Sequence, residues 1–183
     1  MNKIPVLKQA LVVCALLALP LAHAAPMAKA DYTAAKANIG ADFKADKAIC
    51  ASLAANAKDI CIEQAKAKEK VARAELEHAY TGKPKDQNKL AVVKAESAYA
   101  VAKEKCDDLK GNDKDVCVKQ AKAVEVKALA DAKAGQQIGE AKSDAAQDKR
   151  DADYKVAVAK CDALAGDAKS ACGAAAKAKF GKS

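Results

Sequence analysis

The chain reads as all-α: three tandem antiparallel helical hairpins, alanine-rich and coiled-coil-like, each stapled by a Cys-x10-Cys disulfide. Three observations predict this. The pairs Cys50/Cys61, Cys106/Cys117 and Cys161/Cys172 recur at intervals of 56 and 55 residues. Beyond residue 24 the chain holds 43 alanines and no tryptophan, so strong helix formers abound while large apolar area is scarce. The sequence around each cysteine pair also repeats in register, which composition alone does not produce.

Aligned on the first cysteine, Phe43, Tyr99 and Tyr154 stand seven residues before it. Leu53, Leu109 and Leu164 stand three after it, and Lys58, Lys114 and Lys169 eight after it. Aromatic, cysteine and leucine at this spacing share one helix face. In the second copy the stripe extends backward as Val92, Ala95, Tyr99, Ala102, Cys106 and Leu109, an a/d pattern. Gly111 and Gly166 follow, where a left-handed helix end favours glycine. Ala55 takes that place in the first copy, so that turn is expected to be less ideal. Asn56, Asn112 or Asp113, and Asp167 suit the N-cap of a returning helix. Each Cys-x10-Cys then brackets a tight turn, with the sulfurs at matched heights. The returning helices present small residues: Cys61, Ala65 and Ala72, then Cys117, Ala121, Val124 and Ala128. Tyr99 and Tyr154 are expected in the core with the hydroxyl at its edge.

In chain order, residues 1–24 read as a cleavable signal peptide. Lys3 and Lys8 precede a short apolar run, and Ala22-His23-Ala24 offers a cleavage site between Ala24 and Ala25. A retained anchor is the rival reading, and Cys14 is read as an incidental apolar residue of the leader. Three repeats follow: 25–84, 85–139 and a short third, 140–183. Helices are expected near 31–54, 57–80, 86–110, 113–134, 140–165 and 167–179. Thr81-Gly82-Lys83-Pro84 ends the second of these. Gly135 to Gly139 weakens or breaks the chain after the fourth, and Gly40 is a candidate interruption of the first. A disordered polar chain is the alternative, but the recurring stop and start signals argue against it.

Once Lys3 and Lys8 are removed the net charge is about +6, with 30 basic against 24 acidic residues. The signs are interleaved, and Glu69/Arg73 and Asp151/Lys155 have the favourable helical order. Lysine without interleaved aromatics is a poor signature of specific nucleic-acid recognition. Outside the leader six cysteines fall into three pairs and His78 is the sole histidine, so metal sites and Cys-x-x-Cys redox motifs are not expected. No Ser/His/Asp set and no phosphate-cradling loop is legible, so neither an enzyme nor a cofactor is expected.

The alanine- and lysine-rich helical bias resembles the helical domain of the cell-envelope protein TolA. The repeat, as in Cys106-Asp-Asp-Leu-Lys-Gly-Asn-Asp-Lys-Asp-Val-Cys117, is similar to that of small exported proteobacterial proteins often labelled TolA-like. That resemblance implies export and a helical scaffold, and it brings no activity with it. Two departures matter: TolA-type proteins keep an N-terminal anchor, whereas this leader looks cleavable, and they end in a globular domain. Energy transduction is therefore not carried over.

Three functions remain. The first is a non-enzymatic periplasmic or secreted structural or interaction protein of the cell envelope, with an envelope protein as partner and no transmembrane span after cleavage. The second is a binder of anionic envelope components through Lys58, Lys114 and Lys169. The third is a thiol-based oxidative-stress protein in which the cysteine pairs themselves react. The oligomeric state, and whether the hairpins form one bundle or a rod, stay open.

Overall fold

A computed structural model of the chain describes residues 27–182. The expected leader, Cys14 and the Ala24/Ala25 cleavage site lie outside those residues. Five helices follow in order: α1 (Lys29–Cys50), α2 (Ala55–Thr81), α3 (Pro84–Cys106), α4 (Gly111–Cys161) and α5 (Gly166–Phe180). Among the described residues there is no strand. Each helix packs on its neighbours in sequence and on no other helix. The helices thus form an open, one-layer meander rather than a closed bundle.

Three turns carry the disulfides and share one geometry. The helix ends at the first cysteine, and the chain makes a tight turn in which the leucine amide donates to that cysteine's carbonyl. This is Leu53 to Cys50 at 3.1 Å, Leu109 to Cys106 at 3.0 Å and Leu164 to Cys161 at 3.0 Å. The next residue is extended, with φ of -129° at Ala54, -132° at Lys110 and -127° at Ala165. Then comes one left-handed residue: Ala55 at φ 50°, Gly111 at 52° and Gly166 at 58°. The left-handed position falls where the glycines predict it, but it opens the returning helix instead of closing the outgoing one.

That shift corrects the caps. The returning helices start at the left-handed residue, their N-caps are Ala54, Lys110 and Ala165, and none of these makes a side-chain capping bond. Asn56, Asn112, Asp113 and Asp167 therefore lie inside the first turn. The leucines are corrected too. Leu53, Leu109 and Leu164 are 41%, 42% and 44% exposed, because the helix has already ended when the chain reaches them.

Between the tips the interior is made of alanine. Ala65, Ala74, Leu76, Ala95, Ala132 and Ala176 are buried, together with Cys50, Cys106 and Cys161. Ala65 lies inside as expected, but Val124 is 66% exposed and the buried residue beside it is Glu125. Aromatic pairs join the helices at their open ends. Tyr32 of α1 lies 4.4 Å from Tyr80 of α2, and its hydroxyl donates to Glu77 at 2.7 Å. Tyr154 of α4 meets Phe180 of α5 edge-on at 6.1 Å. Tyr99 is half-buried beneath the Lys122 ammonium, which stands 4.9 Å from the ring centre.

The larger correction concerns α4. The expected break at Gly135–Gly139 is absent, and α4 is a single helix of 51 residues, about 75 Å long at 1.5 Å per residue. The boundary expected between repeats at 139/140 falls within it. Two isolated glycines cost a helix only about 1 kcal/mol each relative to alanine, and the residues between them include no proline. At the first junction Gly82 is left-handed at φ 62° and Pro84 occupies the first helical position of α3, so the chain does reverse there. Gly40 likewise does not interrupt α1.

Of the two expected ion pairs along a helix, Glu69–Arg73 is present at 2.7 Å. Asp151 pairs instead with Lys182, just beyond α5, at 2.7 Å. The hydrogen bond from Lys182, reinforced by its charge, holds the Asp151 carboxyl below the usual carboxylate range.

Two predictions follow from this geometry. An alanine at φ 50° is strained where glycine is not, so Ala55→Gly should stabilise the fold by about 1 kcal/mol. Gly111→Ala should destabilise it by a similar amount, and thermal melts of the two variants measure both. A depressed carboxylate contributes stability above its unfolded pKa and loses it as pH falls through the folded one. Amide protection in α5, corrected for the intrinsic exchange rate, should therefore fall only in acid, below the ordinary aspartate range of about 3.9, and Asp151→Asn should remove that dependence.

Candidate interaction surface at the hairpin tips

The three expected disulfides are formed: Cys50–Cys61, Cys106–Cys117 and Cys161–Cys172, with Cα separations of 5.6, 5.7 and 5.5 Å. These separations are close to the commonest value for disulfides, so the hairpin backbone presents the two cysteines at the distance the bond requires. The first cysteine of each pair is buried and the second half-buried. Each bond closes the base of a short tip that carries an exposed leucine.

The first two tips are neighbours. The Asn56 side-chain amide donates to the carbonyl of Glu104 at 3.1 Å, satisfying one of the last carbonyls of α3 from the adjacent hairpin. Ile49, Leu53, Leu109 and Val116 are exposed around these tips. The third tip lies at the opposite end of α4, about 75 Å from the second by helix length.

The repeated lysines have a local role. Lys114 pairs with Asp107 across the second tip at 2.8 Å, and Lys169 pairs with Asp162 across the third at 3.0 Å. The Asp107 hydrogen bond and then its charge push the Lys114 ammonium up. In the first tip Ala51 stands where those aspartates stand, so Lys58 has no equivalent carboxylate. The three lysines are thus not brought together: two tips share one end and the third is remote. Sequence spacing showed the repeated lysines but not the pairing, although the partner signal was present as Asp107 and Asp162 one residue after each first cysteine.

The remaining surface offers little chemistry. Among the described residues no group of His, Cys, Asp and Glu is placed to hold a metal ion. No described helix is long and apolar enough to cross a membrane. A groove of about 890 Å³ runs between α3 and α4 and is lined by Ala91, Ala95, Ala128, Gly135 and Gly139 among others. Its polar edge is the Asn88 amide donating to Gln136 at 3.0 Å. His78 has a buried Nδ1 without a partner, and no nucleophile is hydrogen-bonded to it.

No family model, no curated protein and no solved structure matches this chain.

Proposed function

We propose that the chain is a non-enzymatic structural or interaction protein of an oxidising compartment, the periplasm or cell envelope, built as a scaffold of stapled helical hairpins. One observation carries this reading: all three cysteine pairs close the same tip geometry, with an alanine interior behind each. A core of alanines buries little area per helix pair, and each tip disulfide contributes about 3 kcal/mol in the chain-entropy model. Such bonds persist where the surroundings are oxidising. The leader-like segment before residue 25 agrees with export.

The alternative in which the thiols themselves react is disfavoured by the burial of Cys50, Cys106 and Cys161, since reactive thiols need access. The alternative of lysine-mediated binding to anionic components loses part of its basis because Lys114 and Lys169 are engaged at their own tips.

The reading is tested by measuring the reduction potential of each disulfide in the mature chain, with thermal melts before and after reduction. We expect potentials more negative than about -300 mV, as for structural bonds, and a lower melting temperature on reduction. Potentials near about -200 mV, with stability unchanged, would move the thiols from staples to reactants. Sedimentation with anionic vesicles at low and high salt separates the charge-driven alternative, which predicts binding that disappears as salt rises.

A further inference from the structure

Helix α4 is covered at its two ends and bare between them. In its first part Cys117, Ala121, Glu125, Ala128 and Ala132 are buried or half-buried at three- and four-residue intervals, and this part packs on α3. In its last part Asp151, Tyr154, Val158 and Cys161 form a second such stripe, on the part that packs on α5. The two stripes do not join. Every residue from Lys133 to Ala145 is exposed, which is about 20 Å of helix.

The neighbouring helices end where the bare stretch lies. Helix α5 runs back along α4 to the level of Tyr154, which meets Phe180, and Lys182 just beyond it pairs with Asp151. Helix α3 begins at Pro84, and among the described residues the only hydrogen bond from another helix onto the stretch is Asn88 to Gln136 at 3.0 Å. A Cβ built at Gly135 or Gly139 would meet nothing within 4 Å, so no side chain packs on these two positions. Within the stretch one side-chain bond, Gln136 to Glu140 at 2.8 Å, supports the backbone. No disulfide spans it, because each closes a tip.

That support is weak. Isolated helices shorter than about 12–15 residues are marginal in water even when alanine-rich. This stretch is of that length and holds two glycines, the poorest helix formers after proline, together with Ile138, Ser143 and Asp144, which are also poorer than alanine. The helix on either side is held by packing and by a staple, at Cys106–Cys117 and at Cys161–Cys172.

We propose that residues 133–145 are a hinge, helical on average but opening locally, about which the third hairpin swings relative to the layer formed by α1, α2, α3 and the first part of α4. Opening there breaks almost no packing and no covalent bond, so the structure on both sides survives it. The arm from Gly139 to Cys161 is about 33 Å long by helix rise. A modest bend therefore moves the third tip a long way from or toward the first two without altering any tip. This hinge does not depend on the function proposed above.

The test is amide hydrogen exchange along α4 in the oxidised mature chain, corrected for intrinsic rates. Amides from Gly135 to Ala145 should exchange about a hundredfold or more faster than those from Ala121 to Ala130 and from Tyr154 to Lys160. Alanine fits at both glycines, so Gly135→Ala with Gly139→Ala should slow exchange across the stretch by about tenfold or more and leave both flanks unchanged. Trypsin gives a second readout. Exposed lysines stand on every helix, so its first internal cut reports where the backbone opens rather than where lysine is available. Brief digestion should cut first after Lys133 or Lys142 and release two pieces with all three disulfides intact. Uniform protection along α4, exchange indifferent to the two alanines, or a first internal cut outside the stretch would overturn the proposal.

Discussion

Alanine as the commonest buried side chain is the constraint from which the remaining structure follows. It lets helix axes approach closely, and it limits what that approach contributes. A buried alanine removes far less apolar area from water than leucine or phenylalanine, at about 25 cal/mol per Å². Ala65, Ala74, Ala95, Ala132 and Ala176 are buried beside three cysteines and the polar Asp86, Ser97 and Glu125, with Leu76 the sole large aliphatic side chain among the buried described residues. Such a layer cannot thicken into a globule. It is one helix deep, and each helix meets only its neighbours in the chain. The disulfides offset this weakness where it is greatest, at the turns, by lowering the entropy of the unfolded chain.

The two ends of each hairpin are therefore built differently. The closed ends share a backbone path and a covalent bond, and they vary in their side chains. Ala55 accepts the left-handed conformation that Gly111 and Gly166 adopt without strain, and Ala51 omits the aspartate that pairs with lysine in the other two tips. The open ends lack a covalent bond and rely on aromatic contact, Tyr32 with Tyr80 and Tyr154 with Phe180. The middle open end also uses polar contacts: Thr81 donates to the buried Asp86 at 2.6 Å, and the Lys83 amide donates to Thr81. These bonds hold the turn between α2 and α3 without a cysteine.

What the sequence made legible were features whose cause is local. The cysteine spacing, the glycines at the left-handed positions and the Gly82/Pro84 stop each act within a few residues, and all three appear where expected. The N-caps and leucines were misplaced for a shared reason. The helix ends at the first cysteine, about one turn earlier than the periodic stripe suggests, so Leu109 is a turn residue even though it continues the spacing of Tyr99, Ala102 and Cys106. Asn56 reads as a cap in isolation but serves the carbonyl of Glu104, 48 residues away, a partner no local pattern shows. The lysine positions were legible as a repeat, while their role depended on the aspartates that only the tip geometry brings within reach.

The continuity of α4 follows from comparing one repeat junction with the other rather than from glycine content. Both junctions have glycine, but only the first combines a left-handed glycine with a proline, which has no N–H to donate to the preceding turn. Gly135 and Gly139 have neither neighbour, and a side chain added at either would meet nothing within 4 Å. They are helical residues that lower local stability without redirecting the chain. Two-residue differences thus convert the same repeat from a reversal into a rod. The reversal brings α2 and α3 side by side, whereas the rod keeps the two halves of α4 in line.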